Sequence, residues 1–153
     1  MMNAWKKPIH RDDLLPVLRS GFFMAFTGGI AIGTLHLLFI FTLRFTLTWL
    51  FMLILSHLTA KRIARSYQTY HIAYSILSIF FFLLSYYLMS LTLNIGVYYL
   101  SDVFNFTVLI HLLNPFHYIQ FLNPLSIGFF TVENILDVVF FIIGIVYSYR
   151  FSK

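Results

Sequence analysis

Long apolar runs separated by short polar clusters dominate this chain. The first run covers residues 14–60, and later runs cover 71–93 and 131–149. As a single helix the first run would extend about 70 Å at about 1.5 Å per residue, whereas the hydrocarbon core of a bilayer is about 30 Å thick. The run therefore folds back once, which predicts two transmembrane helices at 14–35 and 38–60.

The hairpin between these two helices is weakly marked in the sequence. Gly33-Thr34 is the best break in the run, and Arg44 is the latest position at which the chain can turn. Helices at 71–93 and 131–149 bring the predicted number of crossings to four. The expected fold is an all-α, polytopic membrane helical bundle that forms one domain over the whole chain.

The composition excludes a soluble globular domain. Apolar residues make up 60% of the chain and charged residues 10%, whereas soluble domains carry about 25% charged residues. No cysteine is present, which excludes disulfides, thiolate metal sites and cysteine nucleophiles. The apolar stretch that begins at Leu14 is too long for the hydrophobic region of a signal peptide, so the first helix is expected to stay in the mature protein.

Lysine and arginine are distributed unevenly along the chain. Four crossings place nine of the ten on one side of the bilayer and leave Arg44 near the other. Basic residues concentrate on the cytoplasmic side, so residues 1–13, the basic loop 61–70 and residues 150–153 are predicted to be cytoplasmic, with the protein in the plasma membrane. The nine are Lys6, Lys7, Arg11, Arg19, Lys61, Arg62, Arg65, Arg150 and Lys153.

This topology also explains the net charge of +5. Lys61, Arg62 and Arg65 follow the second predicted helix directly, where they fix its orientation and contact anionic lipid head groups. The predicted partner of these basic residues is therefore the lipid bilayer, and no nucleic acid is required.

Residues 94–130 do not read as a simple crossing. They are apolar but contain two breaks, at Asn114-Pro115 and at Asn123-Pro124. A residue that precedes proline avoids the helical region of backbone space, so each break predicts the end of a helix. The segment between the third and fourth crossings is therefore built from short helical pieces.

Two interpretations of this segment remain open. A helix capped by Ser101 or Asp102 and ended at Asn114 is too short to span, and it suits interfacial helices that lie on the outer surface. The alternative is a re-entrant loop that enters the bilayer from outside. Non-helical backbone at membrane depth has to be buried in protein or face water, so a re-entrant loop would imply a cavity or pore.

Small residues recur every four positions along the first predicted helix. They are Gly21, Ala25, Gly29 and Gly33, and the last two form a GxxxG motif. Side chains this small let two helices approach closely in a membrane, where lipid provides no hydrophobic drive for association. The stripe predicts packing against another helix of the same chain, or association with a second copy or a partner membrane subunit.

Two acidic residues share one face of the last predicted helix. Glu133 and Asp137 are four positions apart, and a charged acid that faces lipid costs at least ~2–3 kcal/mol, so Asp137 is expected to face the bundle. Arg44 is the basic residue predicted on the same side, which suggests an ion pair with Asp137 or Glu133. The alternative is a protonated Asp137 and an Arg44 that extends alone to the head groups.

Three histidines are candidates for a metal site or a proton relay on the outer side. His36, His111 and His117 can meet there with Asp102 and Glu133. None of them has a ligand spacing such as His-x-x-x-His. No metal or other cofactor is therefore predicted.

Two short motifs, Leu-Asn-Pro-Phe-His-Tyr at 113–118 and Tyr-Ser-Tyr-Arg at 147–150, resemble the last part of ABC-2-type permease subunits. Those subunits often carry a Pro-Phe-x-Tyr-like turn, a final helix and an aromatic-basic end. The resemblance implies a component of a transport system. The tight hairpin of the first half departs from the six-crossing permease plan, and likeness of fold does not carry function.

Three classes of function follow. The favoured class is a non-catalytic subunit or accessory factor of a membrane complex, because the loops are short and no HExxH, GxSxG or phosphate-binding glycine loop is present. The second class is a transporter or channel component, which the broken segment 94–130, Asp137 and Arg44 favour. The third is a membrane-embedded enzyme that uses histidine and carboxylate side chains.

Overall fold

A computed structural model describes residues 11–44, 46–126 and 128–153 of the protein. Over these residues the chain forms helices and turns and contains no strand. Residues 1–10, with Lys6 and Lys7 of the predicted cytoplasmic N-terminus, lie outside the described residues. In chain order the helices are α1 (Arg11–Leu43), α2 (Thr48–Ala64), α3 (Ile72–Leu100), α4 (Phe106–Leu112), the 3₁₀-helix Pro115–Leu122 and α5 (Val132–Phe151).

Three of these helices are long and apolar enough to cross a membrane. They are α1 from Asp12 onward, α3 and α5, with 32, 29 and 20 residues. This is the pattern of a helical membrane protein. The remaining long helix, α2, has 17 residues and extends about 26 Å, which is near the lower limit for a crossing.

The turn between the first two helices lies later than the sequence predicted. α1 continues through Gly33 and Thr34 to Leu43, so the predicted boundaries 14–35 and 38–60 are wrong. In an apolar environment the backbone N–H and C=O groups have no water to bind, so they keep their helical hydrogen bonds even at a glycine. The chain turns instead at Arg44, whose φ of 60° and N–H···O bond to Ile40 (3.0 Å) form a left-handed helix cap.

The helices pair in parallel. Gly21 of α1 lies against Phe81 of α3, and further along both helices Leu37 lies against Gly96, so α1 and α3 run in the same direction. α2 and α5 also run in the same direction. Trp49 contacts Phe140 near the start of both helices, and His57 contacts Tyr147 near the end of both.

One end of the bundle joins three distant parts of the chain. Both carboxylate oxygens of Asp13 accept hydrogen bonds from the loop after α2, from the N–H groups of Gln68 (3.2 Å) and Thr69 (3.3 Å). In the same loop the Tyr67 hydroxyl donates to the carbonyl oxygen of Ser152. We call this the basic end: the start of α1, the end of α2, residues 65–71 and the end of α5.

At the opposite end, residues 101–131 fold back against α3 and α5. The Tyr87 hydroxyl donates to the Leu113 carbonyl (2.9 Å), and the Tyr86 hydroxyl donates to the Tyr118 carbonyl (3.0 Å). The Nδ2 atom of Asn134 donates to the carbonyls of Phe121 (3.0 Å) and Phe129 (3.1 Å). Side chains of the long helices therefore bind the irregular backbone of this segment.

Within this segment the two proline breaks fall where the sequence predicted helix ends. α4 ends before Asn114, and the 3₁₀-helix ends before Asn123. The first piece is shorter than expected, since α3 extends to Leu100 and the side chain of Asn105 caps α4 instead of Ser101 or Asp102. α4 therefore has seven residues and cannot span a bilayer.

Hydroxyls on the exposed side of α1 bond to their own helix. Thr27 donates to the carbonyl of Phe23 (2.6 Å), and Thr34 donates to the carbonyl of Ile30 (2.9 Å). Exposed large apolar residues surround them, including Phe26. A polar group that faces hydrocarbon needs an internal partner, so these bonds suit a lipid-facing surface.

Burial of the Tyr67 phenol makes stability depend on alkaline pH. Burial, together with the charges of Tyr70 and Tyr74, raises the pKa of Tyr67 from 10.0 to about 12. Because the folded pKa lies above the unfolded one, the contribution of the phenol is complete below pH 10 and is lost as the pH rises toward 12.

We expect Tyr67→Phe to lower the free energy of unfolding at neutral pH by about 1 kcal/mol, the usual net value of one hydrogen bond. The difference from wild type should shrink above pH 10. Thermal unfolding in detergent measures both effects. Tyr149→Phe is the control, because that ring contacts the Lys153 ammonium (4.7 Å) through its face and Phe keeps this contact. Equal neutral-pH stability of wild type and Tyr67→Phe would contradict the assignment.

Candidate functional site

A pocket of about 320 Å³ opens between α2 and α5 at the basic end. Two elements build it: the last turns of α2 and the last turns of α5. We call it the α2–α5 pocket, and its lining residues are His57, Lys61, Ala64, Arg65, Tyr147 and Phe151.

Parallel packing of α2 and α5 explains why cations gather here. Both helices end at the same level, so the unpaired carbonyls of two helix C-termini lie at one end of the molecule. Such ends favour positive charge, and Lys61, Arg62 and Arg150 occupy the last turns. The rim of the pocket is fixed by the bond between His57 Nδ1 and the Tyr147 hydroxyl (2.9 Å) and by the stack of Tyr147 on Phe151 (4.0 Å).

Four of the cations at this end fall into two groups. The Arg62 guanidinium lies over the ring of Phe23 (5.4 Å), and the Lys153 ammonium lies over the ring of Tyr149 (4.7 Å). Within residues 11–44, 46–126 and 128–153, Lys61 and Arg65 have neither an aromatic ring in cation–π contact nor a carboxylate within ion-pair distance. These two pocket residues are therefore available to bind an anion.

A second, more open groove of about 450 Å³ lies at the opposite end, between residues 120–131 and the start of α5. It contains Glu133 and Asp137, as expected for two acids on one helix face. Asp137 is half-buried and Glu133 is exposed. Apart from Phe121, their neighbours in the groove are polar or small, which suits a hydrated polar solute or cation; they are Gln120, Ser126, Gly128, Thr131 and Asn134.

The predicted ion pair between Arg44 and Glu133 or Asp137 does not form in the described part of the chain. Arg44 is exposed at the turn after α1. α1 packs on α3 and α2, and α5 packs on α2 and α3, with little or no contact between α1 and α5. The two helices that carry the predicted partners are thus not neighbours, which the charge pattern along the chain could not reveal.

The three candidate histidines occupy two separate places. His111 and His117 lie together, with ring centroids 4.9 Å apart. His36 is fully buried against Phe51 of α2, and its Nε2 accepts a hydrogen bond from the N–H of Leu47 (3.4 Å). Among the described residues, no three potential ligands cluster in a way that could hold a metal.

The small-residue stripe packs within the chain. A Cβ added to Gly29 would lie 2.8 Å from the Ser85 carbonyl oxygen, and one added to Gly33 would lie 2.7 Å from that of Met89. Ala25, which lies between Gly21 and Gly29 in the stripe, is fully buried. This face of α1 is therefore occupied by α3, so it is closed to a second copy or another subunit.

Sequence reasoning missed two contributors to these sites. His57 and Tyr147 belong to different predicted helices far apart in the sequence, yet they meet across α2 and α5 beside Lys61. Asn134 lies between the two acids on the α5 face and anchors the preceding segment. Neither role has a sequence signal, because each depends on which helices become neighbours.

No known protein family, curated protein or solved structure matches this chain in sequence or fold.

We expect Gly29→Ala to destabilise the protein by roughly 1–3 kcal/mol, because the new Cβ meets the backbone of α3 and the helices have to separate. Gly28→Ala is the matched control. Its Cβ would meet chiefly the flexible end of Met24, so the better helix propensity of alanine should leave stability unchanged or slightly raised.

Thermal unfolding and monodispersity of the two variants in the same detergent measure the difference. Gly29→Leu should be more severe than Gly29→Ala and should prevent assembly of the bundle. Equal stability of Gly28→Ala and Gly29→Ala would contradict the packing described for α1 and α3.

Proposed function

We propose that this chain is a four-crossing plasma-membrane protein, with both ends cytoplasmic, that serves as a non-catalytic subunit or accessory factor of a membrane complex. The observation that supports four crossings is the parallel packing of α1 and α3. Two neighbouring helices that cross in the same direction require the chain between them to return across the bilayer. α2 is the helix between them, and about 17 residues suffice for a crossing.

The orientation in this proposal follows from charge. The basic end gathers Lys61, Arg62, Arg65, Arg150 and Lys153, and positive residues concentrate on the cytoplasmic side. Asp13 binds the loop after α2, and Tyr67 binds Ser152, so the start of α1 and the end of α5 lie at this same end. Residues 101–131 then lie toward the outer side.

The role as a subunit is supported by apolar surface at the outer end. α3 extends about 43 Å, well beyond the hydrocarbon core of about 30 Å, so its last turns and the residues after it reach the boundary. Several large apolar side chains there are highly exposed. Exposed apolar side chains at this level suit a contact with another protein or with the membrane surface. We call these residues the outer patch: Phe106 (76%), Phe116 (71%), Leu125 (91%) and Phe130 (79%).

For residues 94–130 we favour shallow entry into the outer boundary over a full re-entrant loop. Tyr86 and Tyr87, which bind this segment, lie about 21 Å along α3 from its start, below the outer limit of a 30 Å core. The segment's carbonyls have protein donors at that depth, which is the condition for irregular backbone within a membrane.

A transport component is the second candidate. The groove that contains the half-buried Asp137, with Glu133 and Gln120 beside it, supports this alternative. An acid placed on a candidate membrane helix and facing a polar groove is typical of ion and proton pathways.

Single cysteines introduced into this cysteine-free chain test the topology. We expect Thr46→Cys and Ser101→Cys to react with a membrane-impermeant maleimide in intact cells, and Thr69→Cys and Lys153→Cys to react only after permeabilisation. Unpermeabilised labelling of Thr46→Cys and Thr69→Cys together would mean that α2 does not cross, and it would overturn the four-crossing proposal.

Disruption of the outer patch tests the role as a subunit. In mild detergent, the native protein should migrate as a complex larger than the single chain. Leu125→Ser with Phe130→Ser should reduce it to the size of the single chain, because buried apolar contact is lost. Phe26→Ser with Ile30→Ser, on the exposed face of α1, is the control and should leave the size unchanged. A native species no larger than the single chain would contradict the proposal.

A further inference from the structure

We infer that the α2–α5 pocket is a binding site for an anionic phospholipid, with the head-group phosphate between Lys61 and Arg65 and an acyl chain along the exposed face of α5. This inference rests on the proposed function in one respect, since it requires the basic end to lie at a membrane boundary. It goes beyond a diffuse contact of basic residues with head groups, because it assigns one pocket and one binding pose.

The first argument is charge. Lys61 and Arg65 are four residues apart on α2, so their side chains project from one face of the helix and converge on the same pocket. In the described part of the chain, both lack an aromatic partner and a carboxylate partner, whereas Arg62 and Lys153 are each engaged by a ring. Cations that only neutralised the partial negative charge of the helix C-termini would not need to line a pocket.

The second argument is hydrogen bonding. A phosphate offers several acceptor oxygens, and arginine and lysine are the side chains that bind phosphate through charge-assisted hydrogen bonds. The bond between His57 and the Tyr147 hydroxyl places two further polar groups in the wall of the same pocket. The site can therefore hold a phosphate and an adjacent ester or glycerol oxygen at once.

The third argument is the apolar groove that continues from the pocket. A cavity of about 290 Å³ on the exposed face of α5 shares Tyr147 and Phe151 with the pocket. It is otherwise lined by Ile142, Ile143, Val146 and Arg150. Ile142 precedes Tyr147 by about 7 Å along the axis of α5, so it lies nearer the middle of the bundle. A charged pocket at the boundary with an apolar groove leading inward has the polarity of a phospholipid and not of a soluble anion.

Native mass spectrometry of the purified full-length protein tests this inference. The protein is reconstituted in vesicles of equal parts phosphatidylglycerol and phosphatidylcholine and then extracted in mild detergent. We expect wild type to retain phosphatidylglycerol in preference to phosphatidylcholine. Lys61→Gln with Arg65→Gln should lower this preference about thirtyfold, given the usual contribution of two basic residues near anionic lipid.

Two further variants separate a site from a general charge effect. Arg62→Gln with Lys153→Gln removes the same charge from the same end, outside the pocket, and should keep the preference. Ala64→Leu fills the pocket without changing charge and should abolish it. All variants are first checked for elution at the wild-type volume in gel filtration. The comparison of the two lipids on the wild-type protein does not depend on any variant.

Three results would overturn the inference: equal retention of the two lipids by wild type, equal loss in both charge-matched double variants, or complete displacement of the lipid by inorganic phosphate. The last would indicate a soluble-anion site. Cysteine labelling in cells reports the topology separately, so a four-crossing protein with no lipid preference would refute the lipid site and leave the topology intact.

Discussion

The close parallel approach of α1 and α3 is the contact on which the rest of the structure depends. Gly29 and Gly33 bring the backbone of α1 within van der Waals distance of the Ser85 and Met89 carbonyls. Helix association in lipid draws on van der Waals packing, which weakens sharply when a gap of even a fraction of an ångström opens. Because the two helices are parallel, the chain between them has to return to the basic end. That return places α2 against both helices and aligns it with α5.

A second constraint acts at the opposite end, where the chain between α3 and α5 is irregular. Its backbone groups need partners, and side chains from the long helices supply them: Tyr86 and Tyr87 from α3, and Asn134 from α5. The same tyrosines pack in the aromatic core with Phe141 and Tyr118. One set of residues thus packs in the core between the helices and binds the backbone of the segment between α3 and α5.

Charge is organised by the same helix arrangement. The parallel α2–α5 pair brings two helix C-termini together, which favours the cations found there. Aromatic rings engage Arg62 and Lys153, and this leaves Lys61 and Arg65 at the mouth of the pocket. The proposed membrane orientation and the proposed lipid site therefore rest on the same few basic residues. The acids of α5 face a separate groove at the other end, where Asp137 is half-buried.

The sequence by itself determined the helical membrane character, the small-residue face of α1 and the helix ends near Asn114 and Asn123, because these depend on local composition and backbone preference. It misplaced the first turn, since Gly33 lies in a helix whose backbone has no competing partners. Only the tertiary structure decided that the stripe contacts α3, that Arg44 and Asp137 are apart, and that His57 meets Tyr147. These facts depend on which helices are neighbours and in which direction they run, and no pattern along a single helix records that relation.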